Sequence, residues 1–381
     1  MKVVLVNCFD TYEGRMDLIF DYLFSKNYEV YAVVSNFKHI QKEKRNVKKI
    51  NHIVVEVKPY SKNISFERLI SHNDFSNKAI IEIEKIAPDL IYSFLPPNGI
   101  ANKLISYRNR HPEVKVVFDL IDLWPETLPI ANLRSLFPLN LLAKYRNRQL
   151  LKADYMIFEC NYYKAAMPDI VKRVNHSTLY LAKKEELGSI PRVVHNDELN
   201  LCYLGSINNI IDIEYITNIV AELFKRKKVV LHIIGDGEKR DQLIAGVEAT
   251  GARVEYYGKV FDIQEKREIF RNCHFALNIM KESVYVGLTM KSIDYFEAGL
   301  PILNNIKGDT EELTSKYNCG INLPSKIRIK DIEDIVSITE DDLTVMSRNS
   351  RKIYEEYFSH EAFSKKFNEI ILDIIGDENN E

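Results

Sequence analysis

The sequence predicts an α/β fold built from two doubly wound domains that face each other across a cleft. Three observations carry that reading. Short apolar, β-branched runs alternate with stretches of helical period, the signature of parallel strands joined by crossover helices. The alternation runs once, breaks at a polar stretch, and then runs again. At 381 residues the chain also exceeds what one core usually fills.

Taken in order, the first set of strands is predicted at Val3–Cys8, Val30–Ser35, Ile53–Val57, Leu90–Phe94, Val114–Leu120 and Tyr155–Phe158. Helical period falls between them, clearest at Met16–Phe24 and Asn77–Ile86. The second set is predicted at Leu199–Leu204, Val229–Ile234, Val254–Tyr257, Phe275–Ile279, Ile302–Asn304 and Gly320–Leu323. Between the sets lies a polar stretch holding Gly188 and Pro191, residues that punctuate regular structure. The domains are therefore read as 1–185 and 201–350, with a linker at 186–200. Residues 351–381 are read as a terminal helix that crosses back to the first domain.

Composition narrows the function. No apolar run reaches the eighteen or so residues of a spanning helix, and Lys2 leads straight into a strand, so the protein is expected in the cytoplasm. Five scattered cysteines, odd in number and never in CxxC spacing, read as free thiols rather than a metal or disulfide framework. A net charge of −2 and the lack of any basic-aromatic strand motif argue against nucleic acid as a partner. The halves nonetheless differ in sign. Residues 1–190 carry 28 Lys and Arg against 21 Asp and Glu, whereas the remainder carries 24 against 33. Within the basic half, residues 132–152 interleave leucines with Arg134, Lys144, Arg146, Arg148 and Lys152. That pattern suits contact with an anionic membrane surface from the cytoplasmic side. The plainer reading is a core helix with a solvated basic face, and Pro138 rules out one unbroken helix.

The most informative motif is Gly287-Leu288-Thr289-Met290-Lys291-Ser292-Ile293-Asp294. It sets a hydroxyl at a helix start, a lysine in the first turn and a carboxylate three residues on, on the same face. Helix N-termini attract phosphate, Lys291 adds a full charge, and Asp294 suits ribose hydroxyls, so the motif reads as a nucleoside-diphosphate site. An ordinary Thr cap with an i,i+3 ion pair is the plainer alternative. Three further turns follow second-domain strands: Gly205-Ser206, Gly235-Asp236-Gly237, and Gly258-Lys259-Val260, the last suited to a base. Ligands of open α/β sheets bind at such strand ends. In the first domain, Pro96-Pro97-Asn98-Gly99 reads as a rigid loop shaping an acceptor pocket. Asp122 follows a predicted strand end and is read as facing the cleft, with Asp119 as its neighbouring alternative. A turn or capping role for Asp122 is the plainer reading. No GxGxxG follows the first strand and no GxxxxGK[ST] occurs, which leaves dinucleotide oxidoreductases and P-loop enzymes unsupported.

The run Leu204-Gly205, Ile233-Ile234-Gly235-Asp236-Gly237, Val254-Glu255-Tyr256-Tyr257-Gly258 and Lys291-Ser292-Ile293-Asp294-Tyr295 through Ala298-Gly299-Leu300-Pro301-Ile302 resembles the donor half of GT-B glycosyltransferases, in particular glycosyltransferase family 4. More loosely, Asp119-Leu120-Ile121-Asp122-Leu123-Trp124-Pro125-Glu126 is similar to a segment of members that build bacterial surface polysaccharides. The resemblance implies two Rossmann-like domains and transfer of a sugar, with retention, from a nucleotide-diphosphate donor to an acceptor hydroxyl. It implies UDP as the common base and diphosphate, and a saccharide or lipid-linked saccharide as acceptor. Gly205, Ser206, Gly235, Gly258, Lys259, Val260, Thr289, Met290, Lys291 and Asp294 would hold the donor. Gly14 and Arg15 would lie beside the sugar, Asn98 and Asp119 on the acceptor side, and Asp122 and Lys291 would serve the reaction. The family's paired glutamates fall on Val286 and Asp294, so only the second acid is kept. No Asp-x-Asp triplet or His/Cys cluster has ligand spacing, and neither metal nor cofactor is expected. Two rivals share the fold: a nucleotide-sugar epimerase, and a non-catalytic partner of another transferase.

Overall fold

The computed structural model describes residues 1–127, 139–190 and 197–376. The chain divides into two compact units. One is Met1–Leu181 together with the chain from Phe363 on, and the other is Ala182–Ala362.

In the first unit the strands are β1 (Lys2–Asn7), β2 (Glu29–Ser35), β3 (Phe37–Lys38), β4 (Glu43–Lys44), β5 (His52–Val55), β6 (Leu90–Leu95), β7 (Lys115–Leu120), β8 (Tyr155–Phe158) and β9 (His176–Thr178). Seven of them form one sheet in the order β5-β2-β1-β6-β7-β8-β9, parallel throughout. β3 and β4 make a small antiparallel hairpin apart from it. Val3, Val4, Leu5 and Val6 are all buried, as a strand covered on both faces requires. The two short outer pieces, β9 and the hairpin, lack the apolar runs by which the others are legible.

The second unit holds β10 (Glu198–Leu204), β11 (Lys228–Ile234), β12 (Arg253–Gly258), β13 (Phe275–Asn278), β14 (Ile302–Asn304) and β15 (Gly320–Asn322). Their order is β12-β11-β10-β13-β14-β15, all parallel, with the strand order reversing between β10 and β13. Loops at the carboxyl ends of β10 and β13 therefore diverge at a switch point, where ligands enter such sheets.

Three expectations shift. The helix predicted from Asn77 begins at Phe66 and runs to Ile86, capped by the Ser65 side chain on the Arg68 amide. Its first turns expose Phe66, Leu69 and Ile70, so apolar residues on the wrong face blur the period. The stretch read as a linker is anchored in its described part. Leu187 and Ile190 are buried within the second unit, and the amides of Glu186 and Leu187 both donate to Glu297 Oε1. Residues 191–196 lie outside the described residues. The return segment joins the first unit at Phe363, where 351 was expected. There Phe367 sits edge-on to Tyr22 at 5.3 Å, and Lys115 Nζ donates to the Ile374 carbonyl at 2.7 Å.

Candidate active site

The chemistry of the second unit centres on the helix Met290–Glu297. Thr289 is its N-cap: Oγ1 accepts from the Ser292 amide at 3.2 Å, and the Ser292 hydroxyl closes a capping box. The same Thr289 hydroxyl donates to Asn278 Oδ1 at 2.9 Å. Asn278 belongs to a ladder across three strand ends, in which Asn278 Nδ2 donates to Asn304 Oδ1 at 2.9 Å and Asn304 Nδ2 to Asn322 Oδ1 at 2.8 Å. The three asparagines are in register on β13, β14 and β15. The helix start is thus fixed to the sheet by side chains, not by loop packing alone.

Lys291 lies in the first turn and is buried, 8% exposed. Its ammonium sits 4.8 Å from the centre of the Tyr203 ring. Nζ has no hydrogen-bond partner, and no carboxylate pairs with it among the described residues. Burial alone pulls its pKa down to about 7. Tyr203 is held in turn by its hydroxyl on the Ser206 carbonyl at 2.9 Å, and the Leu204 amide donates to the Tyr295 hydroxyl at 2.7 Å. A buried cation at a helix N-terminus with no anion beside it is an arrangement that an anionic ligand completes.

The glycine turns divide into two kinds. Gly205, at φ +122°, has open space where a Cβ would sit. Ser206 beside it is exposed. Gly235, at φ +139°, has no such space: a Cβ there would meet the Gly205 carbonyl oxygen at 2.0 Å. Its amide donates to the Gly258 carbonyl at 2.6 Å. Gly235 is thus a packing glycine that brings the turns after β10, β11 and β12 together. Gly258 follows in that cluster, with Lys259 exposed and Val260 buried. Met290 is half exposed at the helix start.

Asp294 does not stand open. Its carboxylate accepts from Lys183 Nζ, which lies 2.9 Å from Glu297 Oε2 as well. Burial works against the Lys183 charge, but the two carboxylates outweigh it and raise its pKa. Lys183 is the residue missed in the sequence. It stands at the end of the domain read as 1–185, just before the linker, where nothing but its charge marks it.

In the first unit, Arg15 and Asp119 are brought together, but with each other. Arg15 Nε and Nη2 donate to the two Asp119 oxygens at 2.7 and 3.0 Å, and Nη1 donates to the Tyr180 carbonyl at 3.0 Å. Tyr92 donates to Asp119 at 2.6 Å, and both charged side chains are buried. Their assignment as sugar contacts is corrected: the fork is spent on a core ion pair. Gly14 is exposed in the helix Glu13–Ser25. Asp122 accepts from the Thr127 hydroxyl, its amide donates to the Leu95 carbonyl, and burial raises its pKa. The turn role read as the plainer one is what these bonds describe.

Asn98 is placed otherwise. Its Nδ2 donates to the Trp124 carbonyl at 2.8 Å, whereas Oδ1 is buried without a partner. Residues 132–138 of the basic segment lie outside the described residues. In the helix Leu139–Leu150, Arg146 is corrected from a solvated charge to a fully buried one. It grips Glu126 with both terminal nitrogens at 2.8 and 2.7 Å and the Trp124 carbonyl at 2.6 Å. The five cysteines are buried and none is in a disulfide. Among the described residues no cluster of His, Cys, Asp and Glu has metal-holding geometry, and no helix is long and apolar enough to cross a membrane.

This combination, two parallel doubly wound sheets with an unpaired buried lysine at the second one's strand ends, is the GT-B fold. Residues 198–337 match the family model of glycosyl transferases group 1, so the second unit carries a domain of that family. Solved structures agree over the whole length. Sucrose-phosphate synthase from Thermosynechococcus elongatus superposes with a TM-score of 0.69 at 12% identity, over 98% of this chain and 99% of that one. The lipopolysaccharide outer core galactosyltransferase WaaB, in apo form, gives 0.68 at 14% identity, over 98% and 99%. HepE of Anabaena in complex with UDP gives 0.67 at 15% identity, over 98% and 100%. At such identities the likeness shows the fold. Among curated proteins none matches the chain in sequence.

Proposed function

We propose that the protein is a metal-independent hexosyltransferase that moves a sugar from a UDP-sugar to a saccharide hydroxyl, with retention. The acceptor is a lipid-linked saccharide at the cytoplasmic face of the membrane, in assembly of a bacterial surface glycan. One observation carries the reading: the buried, unpaired Lys291 ammonium in the first turn of Met290–Glu297, 4.8 Å from the centre of the Tyr203 ring. In the transfer, the acceptor hydroxyl oxygen bonds to the anomeric carbon on the face from which the diphosphate departs, the bond from that carbon to the diphosphate breaks, and the hydroxyl proton passes to the departing diphosphate oxygen. Charge gathers on the leaving diphosphate. Lys291 and the first-turn amides are placed to offset it without reorganising. Ribose hydroxyls compete with Lys183 for Asp294, which keeps the carboxylate in place when the site is empty. HepE of Anabaena, bound to UDP and to UDP-glucose in solved complexes, supports the donor class.

The test is calorimetric binding of UDP, GDP, ADP and CMP to the wild type and to Lys291→Ala. UDP is expected to bind in the micromolar range. Loss of one charge-assisted contact should weaken it by about 2–3 kcal/mol. Failure of every nucleotide to bind the folded protein would refute the reading and favour a non-catalytic partner, the rival that the missing acid at Val286 suits.

A further inference from the structure

The first unit contains a second feature that the donor chemistry does not use. The helix Phe66–Ile86 carries two apolar faces. Phe75, Ala79, Ile83 and Ile86 are buried toward the sheet, as expected of a crossover helix. Phe66, Leu69 and Ile70, at i, i+3 and i+4, form a second stripe that is exposed, Phe66 by 77%. Ile64, just before the helix, is 69% exposed. These residues border a cavity of about 620 Å³, walled by Ile64, Phe66, Leu69, Pro97, Trp124 and Tyr145.

Its polar content is small and one-sided. No carboxylate lines it among the described residues. Arg68 does, and its guanidinium donates to the Asn63 carbonyl at 2.7 Å and to His72 Nε2 at 3.3 Å, over the Phe9 ring, with no acid in ion-pair contact. Burial pulls the His72 pKa to about 3, so that ring stays neutral and Arg68 is the only charge in the described lining. Asn98 adds its unpartnered Oδ1. The exposed wall surface is mostly apolar, which suits a free saccharide poorly. Apolar depth, one cation with no acid in ion-pair contact and an exposed apolar rim fit an anionic amphiphile.

We propose that this cavity binds the first hydrocarbon segment of a membrane lipid phosphate, with the phosphate at Arg68 and the rim of Ile64, Phe66 and Leu69 set against the bilayer. The inference rests on the lipid-linked acceptor reading and deepens it: it assigns the lipid end of that acceptor to the helix Phe66–Ile86 and the wall at Trp124. The rim also differs from the basic segment 132–152 named by the sequence.

Trp124 is the only tryptophan of the chain, so its fluorescence reports on occupancy. The probe is decyl phosphate below its micellar concentration, with inorganic phosphate and decanol as the head-only and tail-only arms. Decyl phosphate should give a saturable Trp124 shift, decanol a weaker one, and inorganic phosphate none. Leu69→Asp should weaken decyl phosphate by about tenfold or more, and Arg68→Gln should weaken it by about fivefold while leaving decanol unchanged. Tyr145→Ser serves as the wall variant should Leu69→Asp not fold. Phe66→Ser should lower co-sedimentation with phosphatidylglycerol vesicles. UDP calorimetry on the same samples separates the two readings. Saturable decyl phosphate binding without UDP binding would sink the transferase reading and keep the cavity. UDP binding with no decyl phosphate response would overturn the cavity. So would an equal response to inorganic phosphate, or a stable dimer that buries the rim.

Discussion

Replacing Lys291 with methionine should make the empty protein more stable while weakening its affinity for UDP. The side chain is buried, it pairs with no anion among the described residues, and burial has pulled its pKa from 10.5 to about 7. At 1.36 kcal/mol per pKa unit, carrying that charge in the folded state costs on the order of 4–5 kcal/mol, an upper scale that structural relaxation reduces. Methionine keeps the volume and removes the charge, so a gain of about 1–3 kcal/mol is expected at pH 6. The sign with pH is fixed by the two pKa values. Below about 7 both folded and unfolded chains carry the proton, and the full penalty applies. Between 7 and 10.5 the unfolded chain binds one proton more than the folded chain, so wild-type stability rises with pH and the advantage of the methionine variant shrinks. Urea unfolding of both proteins at pH 6, 8 and 9 reads this directly.

Binding carries the complementary signature. A diphosphate beside the ammonium restores its charge, so UDP binding at pH 8 and above, where UDP itself is fully ionised, should take up close to one proton. Calorimetry in buffers of different ionisation enthalpy measures that uptake. Affinity should fall as pH rises through the lysine's folded value, by about tenfold per unit well above it. A methionine variant less stable than wild type at pH 6, or UDP binding at pH 8 with no proton uptake, would refute the reasoning.

Three other outcomes follow from the same contacts. Arg15→Leu leaves Asp119 buried with only Tyr92 as a donor, and should cost about 3–5 kcal/mol in urea unfolding while UDP affinity stays at the wild-type value. Gly235→Ala, which sets a Cβ against the Gly205 carbonyl at positive φ, should cost about 3 kcal/mol or more, whereas Gly14→Ala, in open space on a helix, should gain about 0.5–1 kcal/mol by the same measurement. Lys183→Ala leaves the fully buried Glu297 without its cation and should destabilise by about 2–4 kcal/mol near neutral pH. The Lys183 contribution is present below the ordinary lysine pKa and lost as pH rises through its raised folded value, so the gap between wild type and variant should close only in strong alkali.

The fold was legible because parallel strands buried on both faces leave runs such as Val3–Val6 and Val229–Ile234 that little else produces. What stayed hidden is what such runs cannot report. β9 and the hairpin of β3 and β4 are too short to carry a pattern. Eleven residues of the helix Phe66–Ile86 were lost because its first turns present apolar side chains outward. At the site, the Thr289 cap and the first-turn lysine are local features, set by residues within one turn, and a motif contains them. The partner of each charge is not local. Nothing within ten residues of Arg15 announces Asp119, and nothing near Asp294 announces Lys183, because both pairs are closed by the fold across more than a hundred residues. Gly235 shows the same limit: a strand-end glycine reads alike whether a ligand or another backbone approaches it.

The two units can be compared by how each treats a buried cation near its strand ends. Arg15 and Arg146 in the first are closed on Asp119 and Glu126, with both oxygens of each acid engaged. Lys183 in the second is closed on Asp294 and Glu297. These sets are internally neutralised, and an added anion would find no charge to use. Among the described residues Lys291 and Arg68 stand apart: Lys291 is buried with no partner, and Arg68, half-buried, lines an apolar cavity with no acid in contact. An unpaired charge is expensive to fold around, so where a chain holds one in place the compensation has to come from outside it. By that argument the two proposals place one anionic group at the start of Met290–Glu297 and one in the cavity beside Trp124. A nucleoside diphosphate and a lipid phosphate are the pair of substrates that would bring one to each.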